Sequence, residues 1–265
     1  MKTSPVKLLF IFGMLSATAH ANQLWMWNGS ISGYTVSGTV SFSVIPDGAG
    51  YDLQLDITNA ATTVPPSTAD VLTAIYFDLT APGQGALGLK SATATSGLVD
   101  GTNQTTPPVP TLNTNICAAG KGGTALDNTC SSTIPGGWEA AYNLAGLGGN
   151  SSATQQYGVG TAGLGVFSGN AANAGNANYG VVGTAGINAG LDGVNNMTPY
   201  SYHTVTIVLG GLIAPDVTIS NVSGVYGTGP DGTPAALFDN SVPEPGTYLL
   251  IGAGLAAIVF LRRRA

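Results

Sequence analysis

The sequence predicts an all-β fold: a single antiparallel β-sandwich, for which a jelly-roll is one arrangement, flanked by two terminal segments that lie outside it. Three observations lead there. Charged residues make up only 8% of the 265, while glycine supplies 39, the composition of a turn-rich exported β protein rather than of a helical cytosolic enzyme. Two stretches alternate apolar and polar residues strictly, the period of a half-buried strand. Both ends carry an apolar run beside basic residues, which leaves residues 22–226 as the room for one domain.

The elements follow in order. Residues 1–21 are predicted to be a signal helix: Lys2 and Lys7 are basic, Leu8 to Leu15 is apolar, and Ala19-His20-Ala21 is an A-x-A cleavage site. The mature chain then starts at Asn22, and the Sec translocon is the expected export partner. Leu24, Trp25 and Trp27 open the domain as a first strand with its aromatics in the core. In residues 34–45, Tyr34, Val36, Val40, Phe42 and Val44 share one face, and Thr35, Ser37, Thr39, Ser41 and Ser43 the other. Pro46-Asp47-Gly48 is turn chemistry. Tyr51, Leu53, Leu55 and Ile57 then alternate with Asp52, Gln54, Asp56 and Thr58, which predicts an antiparallel partner with a solvated outer face.

Residues 70–79 are apolar on both faces, with Val71, Ile75, Phe77 and Leu79 on one side and Leu72, Ala74 and Tyr76 on the other. That pattern predicts a central strand covered on both sides. Residues 86–99 read as a weaker strand pair. Residues 101–137 form a long excursion containing Cys117 and Cys130. In an oxidising compartment these two are expected to form a disulfide worth on the order of 3 kcal/mol. Residues 200–209 and 217–226 read as two further strands, and Val40, Phe42, Leu53, Leu55, Ile75, Phe77, Val205 and Ile207 as core. Residues 227–241 read as a linker.

Charge excludes one class of partner. Between residues 22 and 242 two lysines, Lys90 and Lys121, face eleven aspartates and Glu139, a net charge of −10. Nothing in that set neutralises phosphates, so nucleic acid is not an expected partner. Catalytic chemistry is equally sparse. A Ser-His-Asp arrangement could use only His203, which sits in a Thr/Val-rich strand. A glycosidase would need a second carboxylate across a cleft from Glu139, which stands beside Trp138. Asp52 and Asp56 share a strand face and read as surface charges rather than a calcium site. The G-x-G-x-x-G at residues 158–163 lacks the strand–helix context that holds a phosphate. The reading is therefore no enzyme, no cofactor and no metal. The expected role is structural or adhesive. The alternative is a carbohydrate-binding module for exopolysaccharide, with Trp25, Trp27 and Trp138 as the candidate stacking residues.

The tail has three parts. Val242, Pro243, Glu244 and Pro245 form an extended segment, since each proline fixes φ and removes an amide donor. Residues 247–261 follow without a charge. At 1.5 Å per residue these fifteen would span about 22 Å as a transmembrane helix. Arg262, Arg263 and Arg264 stop that run on the cytoplasmic side. This tail, residues 242–265, resembles the PEP-CTERM sorting signal of Gram-negative bacteria. The resemblance implies that exosortase processes the chain, that the inner membrane holds it transiently, and that it ends at the cell surface or in the extracellular matrix. Further short segments resemble, in their order, a family of exosortase-dependent surface proteins of unknown activity. They are Asp70-Val71-Leu72-Thr73-Ala74 leading to Phe77-Asp78, the Gly136-Gly137-Trp138-Glu139 stretch, the paired Tyr-Gly-Val segments at 157 and 179, and Ile219-Ser220-Asn221-Val222 before Tyr226-Gly227. That resemblance supplies no catalytic residue.

Overall fold

The computed structural model describes residues 23–31, 34–61, 71–99, 114–116, 118–119, 137–144, 154–161, 179–184, 200–227 and 233–235. The signal segment, Cys117, Cys130 and the tail from Val242 to Ala265 lie outside the described residues.

The described part is all β, with fifteen strands. In chain order they are β1 (Gln23–Ile31), β2 (Tyr34–Asp47), β3 (Gly50–Asn59), β4 (Leu72–Thr80), β5 (Gly88–Ala94), β6 (Leu98–Val99), β7 (Thr114–Ile116) and β8 (Ala118–Ala119). Then come β9 (Trp138–Tyr142), β10 (Tyr157–Thr161), β11 (Val181–Val182), β12 (Tyr200–Tyr202), β13 (Thr204–Leu212), β14 (Thr218–Tyr226) and β15 (Thr233–Ala235). One sheet has six strands in the order β1-β2-β3-β13-β5-β7. The other has nine, running β6-β12-β11-β4-β10-β9-β8, with β14 also on β4 and β15 on β14.

The alternation in the sequence explains the six-stranded sheet. In β2 and β3 nearly every second side chain is apolar, so one face of the hairpin can be buried at little polar cost; Asn59, the polar exception at its end, donates to the Val181 carbonyl. Val40, Phe42, Leu53, Leu55, Val205 and Ile207 are all buried on that face, and Ile75 and Phe77 meet them from β4. The two sheets therefore share one core. Phe42 of the first sheet meets Phe77 of the second edge-on, with ring centroids 5.1 Å apart. Phe77 stacks in turn on Tyr157 at 5.5 Å.

β4 is central, as its two-sided apolar pattern predicts. It carries β14 antiparallel along its length and also pairs with β10 and β11. Ala74 and Tyr76 lie in a second cluster with Leu144 and Val225. Leu72 joins the main core instead of that cluster. The reason is a register shift: Val225 faces Ala74 but Tyr226 faces Leu72, so Thr73 is an extra residue on β4 and the faces exchange there. The Thr73 hydroxyl donates to the Val225 carbonyl at 3.2 Å.

Three expectations need correction. The pairing is not purely antiparallel, because β11 runs parallel to β12 and β8 to β9. Residues 86–99 do not pair with each other: β5 joins the six-stranded sheet and β6 the other, after a turn with Gly97 at φ 94°. Residues 200–209 are not one strand. His203 takes φ 57°, and the chain changes sheets there between β12 and β13. The Gly-rich Tyr-Gly-Val segments contribute strands, β10 and β11, that follow one another along β4. Their glycines leave room for close neighbours: a Cβ on Gly158 would lie 2.7 Å from the Tyr76 ring.

Candidate functional site

The three tryptophans are core residues. Trp25 is 8%, Trp27 3% and Trp138 0% exposed. Stacking on a sugar needs an exposed ring face, and none of the three offers one. Period two explains Trp25 and Trp27, which sit two apart on the inward face of β1 opposite Val40 and Gly38 of β2. The Trp138 indole N–H donates to the Tyr179 carbonyl at 3.3 Å. Trp27 does more. Its Nε1–H donates to the Tyr226 hydroxyl at 2.8 Å, and that hydroxyl donates to the Ser37 carbonyl at 3.2 Å. The indole lies between Gly38 of one sheet and Gly224 of the other, whose Cβ atoms would stand 2.3 and 3.2 Å from it. Glycine is needed at position 38, where the ring occupies the space a side chain would fill, and at position 224 a Cβ would crowd the ring by a few tenths of an ångström. Tyr226 completes this tie, and in the sequence it reads only as a strand residue.

The polar candidates are also tied into the fold. Asp52 is 5% exposed, not a solvated surface charge. Lys90 on β5 reaches it at 2.8 Å and reaches Asp47 at 2.7 Å. Its aliphatic stem lies over Gly210, where a Cβ would come within 2.5 Å of the lysine Cδ. The hydrogen bonds to Asp47 and then Asp52 hold the lysine pKa above its ordinary 10.5. Burial of Asp52 is thus explained by its cation, a pairing between residues 38 apart in the chain that periodicity does not reveal. Asp56 accepts from Thr206 at 2.6 Å and from Gln54 at 3.0 Å. Because Thr206 commits its only proton to that carboxylate, the 2.7 Å contact between Thr206 and Thr95 has Thr95 as donor. On the other sheet Asp78 accepts from the Gln156 backbone at 2.8 Å and from Asn221 at 3.0 Å.

Glu139 is 2% exposed in β9, opposite Gly160 of β10. His203 is half-buried at the sheet-changing corner. Its Nδ1 lies 3.1 Å from the Asn59 carbonyl, and its backbone N–H donates to Val182. Its surroundings thus account for it as a corner residue. Tyr157 is buried and donates to the Gly85 carbonyl at 2.8 Å. Desolvation first, and Tyr142 beside it second, push its pKa up to about 12. Burial likewise raises Tyr179. Among the described residues no three His, Cys, Asp or Glu side chains are grouped as metal ligands would be.

The described chain ends at β15, which pairs antiparallel with β14, Thr233 facing Tyr226 and Ala235 facing Gly224. The tail begins a few residues later. No curated protein and no solved structure matches this chain. One family model does, over residues 241–264: the PEP-CTERM protein-sorting motif. That match spans Val242 to Pro245, the apolar run and the three arginines. It implies export, anchoring in a membrane by the C-terminus before processing, and exosortase as the processing enzyme. The chain carries a C-terminal PEP-CTERM protein-sorting motif, consistent with an exosortase-dependent exported protein.

Proposed function

We propose that the mature domain is a structural or adhesive component of the cell surface or extracellular matrix, delivered there by exosortase. The observation that carries this reading is the sorting motif at residues 241–264. Its position matters: it stands directly behind a domain whose first and last long strands are bolted together, so the tail is a handle on a folded body. Support comes from the way polar side chains are used. Asp52, Asp56 and Asp78 each tie separate strands to one another, Asp52 across the intervening β13. We read the two sheets and their shared core as a β-sandwich. The buried tryptophans remove the best residues for a sugar-stacking platform.

The test has two arms. Replacing Pro243, Glu244 and Pro245 by Ala should leave the protein membrane-bound at its unprocessed size, in fractionated cells carrying a tag before Gly227. If that variant reached the surface at the processed size, the motif would not direct sorting. Deleting the gene should reduce attachment of cells to one another or to a surface, with rescue by the wild-type chain. Unchanged attachment together with a soluble periplasmic product would remove the structural or adhesive role.

A further inference from the structure

From the geometry of β15, and resting on the exosortase reading above, we infer that this strand is a releasable strap: processing of the sorting motif proceeds from the form in which β15 has left β14. Reach is the limit. With Ala235 held opposite Gly224, residues 236–241 are the whole tether to the Val-Pro-Glu-Pro segment that starts at Val242. Six residues span at most about 20 Å whatever their course. Because β15 is antiparallel to β14, the chain leaves Ala235 heading toward Thr218. Residues 218–223 of β14, six again, still lie alongside in that direction and occupy about 20 Å. The paired strap therefore keeps the start of the motif within about 20 Å of the sheet, a distance comparable to the sheet's own remaining edge. An enzyme embedded in the membrane has to reach that motif past a folded body.

Release changes both length and direction. Gly227 stays fixed, since its N–H donates to the Val71 carbonyl at 3.0 Å. With β15 free the tether comprises residues 228–241, fourteen in all, and reaches up to about 50 Å. It then starts from the Tyr226 end of β14 instead of running back along the strand. The strap is built to let go. It pairs over only three residues, and the central one, Pro234, has no N–H to give to the ladder. Among the described residues β15 pairs with β14 only, although β1 lies close by. The long strands beneath, β4 and β14, carry the core and need not move.

The experiment locks the strap in the full-length chain. Val225 and Pro234 are paired residues in this antiparallel ladder, at a separation suited to a disulfide. Cells would express V225C/P234C, each single variant, and the double variant with a ten-residue Gly/Ser insertion after Asn240. The expected result is loss of the processed form in the double variant, its retention in both singles, and its return with the insertion. Wild-type processing of a double variant whose disulfide is verified by mass spectrometry would overturn the inference. So would failure of the insertion to restore processing, because reach would then not be the limit. Replacing Pro243, Glu244 and Pro245 by Ala in the wild-type background serves as the separate control. If that change left processing intact, the sorting reading itself would fail, independently of the strap.

Discussion

Replacing Trp27 by Ala should cost the domain about 4–5 kcal/mol, the upper part of the range for deleting a buried aromatic. The structure gives the reason for the high value. The ring is 3% exposed and fills a slot walled by Gly38 and Gly224. Glycines have no side chain that could swing in, so the cavity stays open. The variant also loses the edge contact to Tyr226, whose ring centroid is 6.5 Å away, and the bond from Nε1 to its hydroxyl. Tyr226 keeps its own bond to Ser37, so no buried donor is orphaned. Against a typical total of about 5–15 kcal/mol, this single change removes about a quarter of the stability or more. The measurement is equilibrium urea unfolding of the mature protein, followed by far-ultraviolet circular dichroism. A cycle of Trp27→Phe and Tyr226→Phe isolates the hydrogen bond, with an expected coupling of about 0.5–1.5 kcal/mol. A loss below about 1 kcal/mol for Trp27→Ala would show that the ring does not tie the sheets together.

Three further outcomes are expected. Gly183→Ala should destabilise by about 2–3 kcal/mol, because the new Cβ would sit 2.1 Å from the Ala61 carbonyl oxygen, whereas Gly29→Ala meets nothing within 4 Å and should change stability little; equal effects in thermal melts would contradict the close approach. Stability should fall as pH rises from about 10 to 12: the pKa of Tyr157 is raised from 10.0 to about 12 by folding, so its contribution is complete below 10 and lost toward 12, and the Lys90 tie weakens above 10.5 by the same sign. Absorbance titration at alkaline pH should show at least one of the ten tyrosines ionising late and together with unfolding, and a single unperturbed wave would refute this. Mass spectrometry of the exported protein without reductant should find Cys117 and Cys130 joined, and two alkylatable thiols would end that expectation.

Periodicity carried the legible part of the fold. Phe42, Leu55 and Ile207 announce their burial by alternating with Ser, Asp and Thr, and β4 announces its central place by lacking any polar face. Where glycine replaced the large apolar residue, the pattern failed. The segments at Tyr157 and Tyr179 look like turns by composition, yet Gly158 and Gly183 stand where Tyr76 and Ala61 press against the backbone. Corners were also invisible. His203 reads as one more strand residue, and only its positive φ shows that the chain turns to the other sheet. Burial of Asp52 depended on Lys90 reaching across the intervening strand β13, a relation between distant positions that no local pattern encodes. The tail was the most legible segment, because it is written for an enzyme to read as a linear sequence.

The Trp27–Tyr226 bond joins residues 199 apart, and the Gln23 side chain clasps the Val217 carbonyl and the Ile219 N–H across 194 and 196. Sequence separations this large place the domain among high-contact-order, slow-folding topologies, since the loop must close before the contact rewards it. For a chain exported unfolded, that slowness would be useful. The first strand cannot complete its packing until Tyr226 is present. Such a thread would stay unfolded, and so passable, for most of its journey, and the body would close only once β14 had followed.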